Sequence, residues 1–118
     1  MIKNNFCSIV PYFKINDGNM SDFKALCKRF SEATSKESGC LFYGFTFFQD
    51  IAHCREGYID GKAVLEHLDN VGGLLKEALE LSELMMLEIH GPQEEIEKLR
   101  EPLANLNPTF FSIESYDK

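Results

Sequence analysis

Nine residues, Cys40-Leu41-Phe42-Tyr43-Gly44-Phe45-Thr46-Phe47-Phe48, lie between Gly39 and the polar pair Gln49-Asp50. The run is rich in aromatics and too short for a buried helix, so it predicts a β-strand. Alternate side chains of a strand point to opposite faces. Leu41, Tyr43, Phe45 and Phe47 therefore share one face, while Cys40, Phe42 and Phe48 share the other. Both faces are apolar, and a fold that holds this strand has to cover its sheet on both sides.

The segments around it supply the rest of the sheet. Phe6 to Ile15 is β-branched and aromatic and ends in the turn residues Asn16-Asp17-Gly18-Asn19, which predicts a first strand. Pro11 has no N–H for the ladder, so a bulge or an unpaired stretch is expected there. Ser21 opens a predicted helix to about Lys36, with Phe23, Leu26, Cys27, Phe30 and Ala33 as its apolar stripe. His53 to Asp60 pairs with the aromatic run as a hairpin. Ala63, Val64, His67, Leu68 and Val71 form the apolar side of a second helix, which Gly72-Gly73 interrupts before a further helical piece. Leu84 to His90 reads as a fourth strand. Pro92 opens another short helix, and Thr109 to Glu114 is a last strand. The order strand, helix, strand, strand, helix, strand is the ferredoxin-like split βαβ plan of an α+β fold with an antiparallel sheet. It is followed by a C-terminal helix and strand extension.

Length and charge narrow the class. At 118 residues the chain fits one domain. A net charge of −7 argues against a nucleic-acid partner, because no basic surface is available to neutralise phosphates. No apolar run approaches the ~20 residues of a membrane helix, and Met1 to Val10 lacks a secretion-signal core. The expectation is a cytoplasmic protein without membrane contact. Its four cysteines, Cys7, Cys27, Cys40 and Cys54, show no C-x-x-C spacing and are expected as buried free thiols. In the split βαβ plan helices cover only one sheet face. The simplest cover for the other is a second copy of the chain, and a pocket between the two packed sheets is the expected consequence.

Two stretches also resemble a known family. Glu37-Ser38-Gly39-Cys40-Leu41-Phe42-Tyr43 resembles the E-x-G-C-x-x-Y segment leading into the second strand of antibiotic biosynthesis monooxygenase (ABM) domains. Glu56, Ala63 and His67 resemble that family's E-x-W…A-x-x-x-H stretch, with Gly57 or Tyr58 in place of the Trp. The resemblance spans about residues 5–91, and residues 92–118 read as an extension within the same single domain. It implies a homodimeric α/β barrel. Members include quinol and polyketide monooxygenases that need no cofactor, as well as haem-degrading enzymes. In some relatives added strands pair with the partner subunit.

The candidate site follows from these residues. His67 is the foremost catalytic candidate, a base for an acidic phenol or quinol, because imidazole titrates near neutral pH. Glu56 is expected beside it as a general acid or base, and Glu88 is expected to project into the same pocket from another strand. Tyr12, Tyr43 and Tyr58 are candidates for orienting a hydroxyl-bearing ligand. His53 and His90 fall away from His67, so no metal site is expected, and no cofactor is expected either. The functional expectation is a cofactor-independent monooxygenase acting on a small aromatic or quinol-like molecule. The alternative is a non-catalytic small-molecule-binding or stress-related dimer on the same fold. A pocket lined by His67 and a Glu or Tyr hydroxyl favours the enzyme, and one lined only by Phe, Leu and Met favours the binder.

Overall fold

In the computed structural model, which describes residues 1–114, the aromatic run is strand β2 at the edge of a five-stranded sheet. The elements in chain order are β1 (Cys7–Ile15), α1 (Met20–Thr34), β2 (Cys40–Phe48), β3 (Ile51–Tyr58), α2 (Gly61–Asn70), α3 (Gly72–Leu81), β4 (Ser82–Gly91), α4 (Gln93–Glu97), a 3-10 turn (Ala104–Leu106) and β5 (Thr109–Ser112). The strand order is β2-β3-β1-β4-β5, which is the ferredoxin-like arrangement with one strand added beside β4. The sheet is open and mixed: β1, β2, β3 and β4 pair antiparallel, but β5 runs parallel to β4. The core sheet is antiparallel as expected, and the added strand is parallel because the chain crosses over through α4 and the 3-10 turn between β4 and β5. β5 also pairs with its own chain's β4 rather than waiting for a partner subunit.

Local chemistry explains the other features. Val10 and Pro11 drop out of the β1–β3 ladder, which resumes at Tyr12↔His53. His53 bonds the Pro11 carbonyl through Nδ1 at 2.7 Å and stacks on Tyr12. On the other side of β1 the register with β4 shifts between Tyr12 and Phe13, and the bulge turns Leu84 inward while Met85 and Met86 stay exposed. Asp60 caps α2 by accepting the Ala63 N–H at 2.8 Å. Helical pairing breaks at Val71, between α2 and α3, one residue before the glycine pair. The last strand is shorter than its sequence suggests, ending at Ser112.

All the helices that touch the core lie on one face of the sheet. Two clusters of buried side chains fill the space between. One centres on Cys7, Ile9, Tyr58, Val64, Ile89 and Leu99. The other centres on Phe13, Phe23, Leu26, Phe30, Ala52 and Val71. The opposite face carries Val10, Tyr12, Phe42, Phe48, Met86 and Phe111, and the last four are exposed.

Candidate functional site

A cavity separates the two core clusters, between the sheet and the helices of the one chain. This cavity lies inside the one chain, on the helix side of the sheet and not on the outer face where a pocket between two sheets is expected. Residues of α1, α2 and α3 roof the cavity on this side of the sheet. The walls are Phe13, Phe23, Phe30 and Phe45 at one end and Ile9, Leu87, Ile89, Leu103 and Leu106 at the other. Leu103 and Leu106 belong to the C-terminal extension, so that extension is part of the wall. The space open to the centre of a water molecule is about 60 Å³, enough for several waters. Among the described residues no Lys or Arg lines the cavity, and its polar groups are Tyr43, Cys54, Glu56 and His67.

Strand parity decides which predicted residues meet here. Ile9 pairs with Glu56 on β3, and Tyr43 on β2 pairs with the same Glu56, so all three point inward. His67 reaches the same spot from α2, whose buried stripe is Gly61, Ala63, Val64 and His67. Glu56 and His67 are 5% and 3% exposed. His67 Nε2 lies 3.5 Å from Glu56 Oε1. Tyr58, also fully buried, donates its hydroxyl to Glu56 Oε1 at 2.6 Å and packs its ring 4.9 Å from the imidazole. Tyr43 lies 5.4 Å from the imidazole, ring to ring. Four of the six expected site residues are therefore together.

Tyr12 and Glu88 are not. Val10 pairs with Glu88, so Glu88 takes the parity opposite to Ile9 and faces away from the helices. It bonds His90 at 2.9 Å there, and Tyr12 stacks on His53. The sheet itself separates both from the cavity. Glu37 was read only as part of a motif, yet it is a neighbour of the site. It sits in the loop between α1 and β2, with His67 Nδ1 2.9 and 3.1 Å from its two carboxylate oxygens. The sequence signal for it is the pair Glu37…Gly39. A Cβ on Gly39 would come within 2.6 Å of the Ala63 Cβ, so only glycine lets this loop lie against α2 and bring Glu37 to the imidazole.

Burial sets the protonation of the site. It raises the Glu56 carboxyl to about 8, against the smaller opposing effect of its hydrogen bonds, with the Glu37 charge adding to the rise. Glu56 is thus a protonated acid at neutral pH. Burial holds the His67 imidazole below its ordinary value, against the opposing pull of Glu37, so it is a neutral base. The Tyr43, Tyr58 and Cys54 groups are all pushed upward by burial and remain protonated. Cys7 and Cys40 rise to about 11 and Cys27 to about 12 for the same reason; all four are free thiols, Cys7, Cys27 and Cys54 buried as expected and Cys40 only half-buried. Among the described residues no group of three His, Cys, Asp or Glu is placed to hold a metal ion. No described helix is long and apolar enough to cross a membrane.

No family model and no curated protein matches the sequence. Solved structures do. MupZ from Pseudomonas fluorescens superposes with a TM-score of 0.90 at 47% identity, over 95% of this chain and 93% of that one. The chain belongs to the MupZ family. Coverage this high leaves too little unmatched for the MupZ likeness to omit the C-terminal extension that walls the cavity. More distant matches carry the fold alone. A protein from Caulobacter crescentus, provisionally named an antibiotic biosynthesis monooxygenase, superposes with a TM-score of 0.66 at 16% identity over 73% of this chain and 88% of that one. One from Chloroflexus aurantiacus with the same provisional name gives 0.62 at 16% identity over 75% and 93%. The MupZ family chain thus has the ABM fold.

Proposed function

We propose that the chain is an enzyme in which Glu56 and His67 act as an acid–base pair on an uncharged, slender, largely apolar molecule held in the interior cavity. The observation that carries this reading is a protonated carboxyl facing a neutral imidazole at 3.5 Å, at the one polar spot of an otherwise apolar chamber. A buried acid and a buried base cost stability, and such pairs with displaced titration are concentrated where proton transfer is needed. The lack of a lining cation among the described residues argues for a ligand without a carboxylate or phosphate, since such a charge has no partner in these walls. Glu56 gives a proton to an oxygen of the ligand, or His67 Nε2 takes one from it. Tyr43 is placed to orient that oxygen. A cavity of this lining supports the enzyme over the non-catalytic binder.

A finer reading is monooxygenation of a phenol or quinol, favoured by the names of the ABM-fold neighbours. His67 deprotonates the hydroxyl, and the electron-rich anion passes an electron to dioxygen. The test is conversion of a panel of quinols, anthrones and slender uncharged alcohols, with and without oxygen, by wild type, His67→Ala and Glu56→Gln. Conversion that both variants lose by about 10²-fold or more supports the acid–base pair. Oxygen uptake in wild type selects monooxygenation, and conversion without uptake selects proton transfer alone. Binding with conversion unaffected by either variant removes the pair from the mechanism.

We also propose that the outer sheet face meets a second copy of the chain, because Phe42, Phe48, Met86 and Phe111 form an apolar surface there.

A further inference from the structure

The Glu56–His67 pair needs a particular nitrogen of His67 to be free, and the geometry points to what frees it. We infer that Glu37 is a positioning residue that fixes His67 as the Nδ1–H tautomer, with the Nε2 lone pair turned to Glu56. The inference rests on the acid–base reading for its purpose but not for its observations.

Three contacts carry it. His67 Nδ1 lies between both oxygens of Glu37, at 2.9 and 3.1 Å. An N–H shared by the two oxygens of a carboxylate gives this geometry, whereas a carboxylic acid donating to a bare nitrogen would bring one oxygen alone to it. Asn70 Nδ2 donates to Glu37 Oε2 at 2.8 Å and to the Ala33 carbonyl at 3.1 Å. Asn70 stands one turn after His67 on α2, so the same helix presents two donors to one carboxylate. This second donor pins the carboxylate to both helices. Gly39 then fixes the approach of the loop, since any side chain there would strike Ala63.

The tautomer has a consequence for the site. With Nδ1 carrying the hydrogen, Nε2 is an acceptor 3.5 Å from Glu56 Oε1. When Glu56 protonates His67, its O–H bond breaks, an N–H bond forms at Nε2, and the resulting imidazolium lies between two carboxylates. No electron is transferred. In the other tautomer Nε2–H would face the Glu56 acid and no proton could pass to it. Glu37 side-chain exposure is 12%, and it lines a shallow surface groove with Ser31, Ser35 and Cys40. Glu37 is therefore also the solvent-side member of the Glu37–His67–Glu56 row.

The test reads the protein without any ligand. Two-bond 15N–1H correlation spectra of the 15N-labelled full chain identify which nitrogen of His67 is protonated near pH 7, with His67→Gln for assignment. The expected result is Nδ1–H in excess by about tenfold or more, the scale of a hydrogen bond to a charged acceptor. Glu37→Leu is expected to lower that excess at least several-fold with the amide spectrum of the sheet retained, while Asn70→Ala leaves Nδ1–H dominant. Nε2–H in the wild type overturns the inference. So does an unchanged tautomer in folded Glu37→Leu. Because the tautomer is read without turnover, an inactive protein with Nδ1–H would refute the acid–base reading and leave the role of Glu37 standing.

Discussion

At the scale of single residues, the decisive event is the burial of one carboxyl. Glu56 looks ordinary in the sequence, one charged residue in a strand that also carries Arg55. Strand parity sends Arg55 out to solvent and Glu56 into the cavity. His67 was legible as a His on an apolar helical stripe, and Glu56 through the short motif it shares with Ala63 and His67. Glu37 was not legible as a site residue, because its role depends on a loop held against a helix 30 residues later in the chain. The raised Glu56 pKa predicts a pH-dependent stability. The folded state holds this proton more tightly than the unfolded chain, so the contribution is complete below about 4.5 and is lost as pH rises toward about 8. The lowered His67 pKa acts oppositely: its contribution is present above 6.5 and lost as pH falls. Glu56→Gln removes only the first effect. Urea unfolding from pH 5 to 9 is expected to show the variant gaining on wild type as pH rises, by up to about 1.4 kcal/mol per pH unit. A constant difference across that range would contradict a raised Glu56.

At the scale of elements, three close fits place these residues. The cap at Asp60 starts α2 at the register that aims His67 inward. Gly39 allows the loop before β2 to touch α2. The C-terminal extension braces α2 through Glu95, whose carboxylate accepts the Gly61 N–H at 2.8 Å. The sequence pointed to these elements and to the interruption at Pro11, because apolar spacing and turn residues are local signals. It missed the bulge that turns Leu84 inward and the parallel pairing of β5, because both depend on how strands meet in space. Gly39→Ala is expected to destabilise the fold by about 1–3 kcal/mol, measured by chemical denaturation. Adding Ala63→Gly removes the facing Cβ and is expected to restore much of that loss, a coupling that two independent sites would not show. Leu103→Ala enlarges the cavity from the extension side. The expected cost is about 2–5 kcal/mol, with tighter binding of bulkier uncharged ligands by calorimetry.

At the scale of the whole molecule, the cavity and the bare sheet face separate two roles that the sequence merges. Both were apolar in the alternation pattern, and nothing in a single strand says which face the helices take. Tyr12 and Glu88 lie on the outer face, away from the interior cavity. If that face binds a second copy, light scattering after size exclusion will give about twice the 13.5 kDa chain mass. Charges placed on the exposed Phe42 and Met86 are expected to shift the mass to that of the monomer while the His67 environment stays intact. A monomeric wild type at all concentrations would contradict this cover. The cavity lies on the opposite side of the sheet from that face, so this outcome leaves the acid–base reading to be tested on its own.

The acid–base pair requires Glu56 to be an acid at neutral pH, and a 13C NMR titration of the Glu side-chain carboxyls, assigned by Glu56→Gln, measures that directly. The predicted result is one carboxyl with a midpoint near 8 that disappears in the variant. A Glu56 midpoint near 4.5 would mean an ionised carboxylate at neutral pH, and the acid–base pair would be wrong.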